Sequence, residues 1–146
     1  MKNEFIPYEQ ALELKKLGFD EECLAAYYVF GDGKLREGRY GQTESQLFIN
    51  GIDIQVEDRM EELEMFAYHD VSVPTFSQAF RWFRDKKLAD GSVSRHGEAD
   101  GGYSYRWDIL YEYGVYEERH FKLGYKTYEE AELACLIELV KIVKQK

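Results

Sequence analysis

The sequence contains little cysteine, which forms disulfides, and little proline, which interrupts helices and strands. It also has no long apolar run. It contains two cysteines and two prolines among 146 residues, too few for a disulfide framework. The N-terminal stretch MKNEFIPYEQ lacks the apolar region of a secretory signal, and no segment reaches the roughly 18 apolar residues of a membrane helix. Cys23 and Cys135 both stand in apolar surroundings, which is typical of reduced, buried thiols. We therefore expect a cytoplasmic protein that does not enter a membrane.

Positive charge is also scarce, and the net charge of −9 is unevenly distributed. Residues 1–73 hold 7 Lys and Arg against 16 Asp and Glu, whereas residues 74–146 hold 12 of each. Because binding to nucleic acid depends on cations that neutralise phosphates, this balance disfavours nucleic acid as a partner. The acidic half favours solubility or contact with a basic partner, and mimicry of DNA stays open.

What the chain does contain is enough apolar material for a core. Hydrophobic residues make up 45% of the sequence and aromatic residues 16%, including 12 tyrosines. A chain of this length can bury roughly 68–70% of its unfolded surface without metal or disulfide support. We predict a single domain over residues 1–146.

Three amphipathic helices are marked by their ends. The first is predicted over residues 7–17, with Pro7 in its first turn and Gly18 as the left-handed residue that ends it. Capping boxes at Thr75–Gln78 and Thr127–Glu130 open the second and third helices. The second carries a core-facing stripe, with Trp82 on its flank. The stripe consists of Phe76, Ala79, Phe80 and Phe83.

In the first half, strand patterns alternate with glycine-rich segments. Residues 23–30 (CLAAYYVF) indicate a buried strand, and residues 31–45 an exposed loop or hairpin tip. A hairpin is predicted across residues 46–56, around Asn50–Gly51. Residues 57–68 suggest a short acidic helix, with a strand over 64–68 as the alternative.

In the second half, residues 87–102 indicate a polar loop. Strict alternation from Tyr103 to Glu112 predicts a strand, with Trp107 on the same side as Ile109. Residues 115–123 are expected to return as a second strand. The elements together predict an α+β fold, with a small, mostly antiparallel sheet and about three to four helices packed on one face.

Three blocks of sequence, FIPYEQALELKKLGF, PTFSQAFRWFR and TYEEAELACL, lie near the two ends and the centre of the chain. They resemble a group of small, generally uncharacterised proteins encoded by bacteriophages and prophage elements of gut bacteria. The resemblance implies a phage-borne accessory protein in the cytoplasm. It brings no catalytic or binding residue with it.

Motifs for metal, phosphate or nucleophilic chemistry are largely missing. The three histidines stand far apart, and the two cysteines form no CxxC pair, so no metal or cofactor is predicted. The segment GDGKLREG lacks the GK[ST] ending of a phosphate loop. A hydrolase that uses His96 or His120 with a carboxylate is the weakest of three functional hypotheses.

The strongest hypothesis is a non-enzymatic protein-interaction module whose partner is a host or phage protein. Tyrosine combines apolar area with a polar tip and is common at interfaces. The alternative is a protein that binds a small nucleotide, since arginine forks and aromatic rings suit phosphates and bases. The candidate contact residues for either function are Arg81, Arg84, Arg95, His96, Arg106 and Trp107. Oligomeric state cannot be inferred from these patterns.

Overall fold

The described part of the chain contains three helices and six strands. The computed structural model describes the backbone of residues 4–36, 39–49 and 66–145, and the side chains of residues 4–26 and 71–145. In chain order the elements are α1 (Tyr8–Lys16), β1 (Ala25–Arg36), β2 (Arg39–Ile49), β3 (Phe66–Val73), α2 (Phe76–Lys87), β4 (Ala89–Gly97), β5 (Tyr103–Tyr113), β6 (Tyr116–Tyr125) and α3 (Tyr128–Lys144). The predicted α+β class is confirmed.

The strands form two antiparallel sheets of three strands each, where the sequence suggested one sheet. In the first sheet, β1 lies between β2 and β3. Of the two alternatives predicted for residues 31–45, the long loop is wrong and the hairpin tip is confirmed, because β1 continues to Arg36 and pairs there with Arg39 at the start of β2. Irregular register after Phe30 and Gly31 accommodates the glycines within the paired strands.

The strand alternative for residues 64–68 fits the chain where it is described, since β3 begins at Phe66. The acidic helix predicted over 57–68 is therefore wrong for its last three residues. The rest of that helix, and the Asn50–Gly51 turn of the predicted hairpin, lie outside the described residues.

The second sheet has the strand order β4–β5–β6. The predicted polar loop over 87–102 is wrong for residues 89–97, because β4 pairs residue by residue with β5 from Ala89 to Gly97, and it is right for the turn over residues 98–102. Within this strand, Ala89 is fully buried and Gly91 lies directly beneath α3. Small residues at these positions let a helix approach the strand closely, and they also hide the apolar alternation that a strand usually shows.

Strands β5 and β6 form a tight hairpin, as the pattern over 103–123 predicted. Tyr113 pairs with Tyr116, which leaves Gly114 and Val115 as a two-residue turn. Gly114 has a φ of 63°, and Val115 is not among the residues with positive φ. A positive φ at the first turn position alone is the pattern of a type II′ turn, where glycine is preferred.

The predicted helix ends are confirmed in part. Pro7 is the extended residue before α1 and not its first helical residue, and the Gln78 side chain donates to Glu21 and Glu22 instead of returning to Thr75. The α1 helix ends at Gly18, which has a φ of 97°, and the Phe19 N–H donates to the Leu14 carbonyl at 3.0 Å. At the start of α2 the Thr75 hydroxyl accepts a hydrogen bond from the Gln78 N–H. Thr127 caps α3 in the same way. These contacts satisfy backbone groups that have no partner within the helix.

One hydrophobic cluster joins the helices to both sheets. The α3 helix packs against β4 and β5, α2 packs against β4 and α3, and α1 packs against β3 and α3. Trp82, expected on the flank of α2, is buried with its ring centroid 5.5 Å from that of Phe19 and 5.2 Å from that of Phe83. Trp82 therefore belongs to the core. That the chain forms a single domain stays a prediction.

Candidate interaction surface

The second sheet has one face toward the helices and one face toward solvent. On β5 the side chains of Trp107, Ile109 and Tyr111 are buried, whereas Arg106 and Asp108 on the opposite face are partly exposed. These buried residues share the hydrophobic core with residues of α3, which packs against β5. We call the other side, which bears the partly exposed side chains of Arg106 and Asp108, the outer face.

Trp107 is a core residue, and its assignment as a contact residue is wrong. Only 6% of its surface is exposed, and its Nε1–H donates to the Tyr125 hydroxyl at 3.1 Å. The strand alternation had placed Trp107 on the same side as Ile109, and that side faces the helices. Its role is to fill the core beneath the sheet.

Arg106 lies on the outer face and is held there by two neighbours. Its Nε–H donates to Asp108 at 2.6 Å, and a second guanidinium nitrogen also contacts that carboxylate. The hydrogen bond to Asp108 raises the pKa of Arg106 further above its ordinary value. Its guanidinium carbon lies 5.3 Å from the centroid of the Phe121 ring. The guanidinium and the ring form a cation–π contact, although 62% of the surface of Phe121 is exposed.

Arg95 and His96 occupy opposite faces of β4, because neighbouring side chains of a strand alternate. Arg95 lies over the ring of Tyr103, with its guanidinium carbon 4.9 Å from the ring centroid. His96 is paired with Ser104 in the ladder, which places it on the same face as Arg106. The structure thus brings His96 and Arg106 to one face and leaves Arg95 on the other.

Arg81 and Arg84 lie elsewhere, on the exposed side of α2. Arg81 is 3.6 Å from a carboxylate oxygen of Glu21, and Arg84 is 3.2 Å from Asp85. The four candidate arginines are therefore distributed over three places, and three of them already contact carboxylates. They do not form one cationic cluster of the kind that a phosphate requires.

Exposed large apolar side chains are concentrated on the β5–β6 hairpin. These residues are Tyr103, Val115, Tyr116, Phe121 and Leu123. Two of them, Phe121 and Leu123, alternate on β6 and lie with Arg106 on the outer face, and these three residues are called the hairpin surface below. Tyr103 and Tyr116 lie on the opposite face of the sheet, with Arg95 and Tyr113. An exposed aromatic ring beside a guanidinium is a combination that occurs often at protein interfaces.

The residue of this surface that sequence reasoning missed is Phe121. It stands in a segment predicted as a strand, but a strand pattern alone does not tell which of its faces is covered. The missing information was the register with β5, which places Phe121 opposite Asp108 and next to Arg106.

Two short polar pairs that involve carboxylates lie on or beside the second sheet. His120 Nε2 lies 3.4 Å from Glu118, and the Ser104 hydroxyl donates to Glu98. Within the described side chains, no group of three His, Cys, Asp or Glu residues is arranged to hold a metal ion. His120 and Glu118 place an imidazole beside a carboxylate, but both lie on an open strand and not in a cleft.

Two cavities lined entirely by described residues lie at the helices. One of about 330 Å³ lies between α1 and α3 over Ile137 and Val140, and the other of about 470 Å³ lies beside Phe76 and Tyr128. Burial and the neighbouring Glu129 raise the pKa of Glu132 at the second cavity. Neither cavity is lined by any of the candidate arginines or by His96.

Comparisons of the chain with protein families, with curated proteins and with solved structures return no match. Among the described residues, no helix has both the length and the apolar character needed to cross a membrane. Because the three comparisons return no match, the resemblance to phage-encoded proteins stays a prediction.

Proposed function

We propose that this chain is a non-enzymatic protein-interaction module that contacts its partner through the hairpin surface. The observation that carries the proposal is the exposure of Phe121, 62%, beside the guanidinium of Arg106. Aromatic residues and arginine are both enriched at protein interfaces, and here the two side chains are in contact with each other.

The geometry of Arg106 suits such a contact. Its bond to Asp108 fixes the guanidinium, so that little side-chain entropy is lost when a partner covers it. Phe121 and Leu123 supply apolar area around this fixed charge. A partner that presents an apolar patch with a carboxylate at its edge would match both features.

The resemblance to phage-encoded proteins supports the setting of the proposal. In that setting the chain acts in the cytoplasm of a bacterium, and its partner is a host or phage protein. The acidic first half adds solubility and repels nucleic acid, which favours a protein as the partner.

The experiment is an affinity capture from bacterial lysate with two matched variants. Phe121→Ser removes an exposed ring from the hairpin surface, and Leu24→Ser removes a comparably exposed side chain elsewhere. We expect the wild type and Leu24→Ser to retain the same specific protein, and Phe121→Ser to lose it. Equal retention by all three, or no protein above background at any salt concentration, would contradict the proposal.

Nucleotide binding remains the alternative, and the contact of Arg106 with an exposed ring is the feature that favours it. A base stacked on Phe121 would lie beside a guanidinium that can bind phosphate. The test is a rise in melting temperature with cyclic and linear nucleotides. A rise that Arg106→Ala abolishes would replace the protein-interaction proposal.

A further inference from the structure

Strand β6 is a long edge strand with an exposed surface. It pairs with β5 on one side, and no described strand pairs with its other side. It has ten residues, contains no proline and is exposed or half-buried along its whole length. The N–H and C=O groups along such an edge are available to pair with another strand.

The hydrogen bonds of β5 identify which backbone groups of β6 point outward. The Glu112 N–H donates to the Leu88 carbonyl, on the β4 side of β5. In an antiparallel ladder the bonding direction alternates, so Tyr111 and Tyr113 bond toward β6. Their partners Glu118 and Tyr116 therefore bond toward β5. Glu117, Arg119 and Phe121 alternate with these residues along β6. Their backbone N–H and C=O groups therefore point away from β5, toward the open edge.

The charges along β6 match those of a second β6 strand that runs in the opposite direction. If two copies pair about a twofold axis at His120, Glu118 of each copy lies opposite Lys122 of the other. In the same register, Arg119 lies opposite Phe121 of the second copy, and both residues present outward backbone groups. Each favourable pair then occurs twice, because a twofold interface repeats every contact.

Other registers are less favourable. A shift of the second strand by two residues in one direction places Arg119 opposite itself, and a shift in the other direction places Lys122 opposite His120. A shift by one residue aligns outward backbone groups with groups already bonded to β5.

We infer that the partner of the β6 edge is a second copy of this chain, and that the two sheets join into one six-stranded sheet through antiparallel β6 strands.

A second copy fits this edge better than an unrelated strand does. Charged side chains on an edge strand discourage pairing with an arbitrary apolar strand. Here the same charges become complementary pairs when the edge meets itself. The inference concerns the backbone edge of β6 and does not rest on the proposed contact with a different protein.

The test is sedimentation velocity of the purified full chain over a concentration series. We expect a dimer that dissociates on dilution. Lys122→Glu turns two favourable cross-strand pairs into two like-charge pairs, so the dissociation constant should rise at least about tenfold. The double variant Glu118→Lys/Lys122→Glu restores the complementary pairs and should restore the dimer. Lys126→Glu is the control, since it makes the same charge change at an exposed residue beyond β6.

A second variant tests the backbone contribution. Arg119→Pro removes an N–H that points to the open edge and leaves the bonds to β5 in place, so it should produce a monomer with unchanged circular dichroism. A wild-type chain that is monomeric at every concentration would overturn the inference and leave the proposed function untouched. A dimer that survives Arg119→Pro, or that the double charge reversal does not restore, would also overturn it.

Discussion

Gly91 and Leu139 approach so closely that a methyl group on Gly91 would lie 2.8 Å from the Cδ1 atom of Leu139. The same methyl group would lie 3.0 Å from the sulfur of Cys135. Both neighbours are completely buried in α3. The absence of a side chain at Gly91 therefore sets the distance between α3 and strand β4, and with it the position of the whole second sheet.

Replacement of Gly91 by alanine should destabilise the protein. The buried neighbours have little room to move, and overpacking of this kind typically costs about 1–3 kcal/mol. Gly97→Ala is the matched control, because a methyl group there has nothing within 4 Å and Gly97 lies in the same strand. The free energies of unfolding in urea should differ between the two variants. Equal free energies of unfolding for Gly91→Ala and Gly97→Ala would show that α3 does not pack tightly against Gly91.

The same contact explains why β4 was mistaken for a loop. The three inward positions of its first half are Ala89, Gly91 and Val93, of which only the last resembles a strand residue. Its pairing with β5 and its cover by α3 make it a strand, and neither is visible in the local sequence. The capped helices were predictable because a capping box is a local feature, whereas the packing of β4 is not.

The candidate site was predictable only in part, for a related reason. Arg106 was predicted as a contact residue because an arginine next to aromatic residues suits phosphates and bases. Trp107 and Phe121 are both aromatic residues in strands, yet one fills the core and the other is exposed. The difference arises from the register of β5 with β6 and from the position of α3, which are long-range features.

Phe83 should be among the most costly residues to truncate. Its side chain is fully buried and its ring contacts that of Trp82. Phe83→Ala should lower the free energy of unfolding by about 3–5 kcal/mol, the usual cost of deleting a buried ring. Lys86→Ala, on the exposed side of the same helix, should change it by no more than about 0.5 kcal/mol. A loss below about 1 kcal/mol at Phe83 would mean that the ring does not support the core.

The two cysteines should resist alkylation while the protein is folded. Burial raises the pKa of Cys135 to about 12, and burial together with Glu21 raises the pKa of Cys23 to about 11. Because the thiolate is the reactive form, iodoacetamide at pH 8 should label neither residue in the native state and both in urea. Mass spectrometry counts the adducts. Rapid labelling of native Cys135 would contradict its burial.

The raised pKa values also predict how stability depends on pH. The folded thiols keep their protons at pH values where an unfolded thiol, with its ordinary pKa of 9.0, begins to lose them. Their contribution to stability is therefore complete below pH 9 and is lost as the pH rises toward about 12. In urea titrations at pH 8 and pH 10, Cys135→Ala should lose less stability between the two values than the wild type. An equal loss would mean that Cys135 does not contribute to the pH dependence.

The most direct test of the proposed function is site-specific photo-crosslinking in bacterial cells that express the chain. A benzophenone amino acid at position 121 reports on the hairpin surface, and the same group at position 24 reports on an exposed site outside it. The account predicts a discrete adduct from position 121 whose mass differs from that of two joined chains, and no such adduct from position 24. If position 121 gives no adduct with another protein, or if both positions give the same adducts, the hairpin surface is not the contact site of a protein-interaction module.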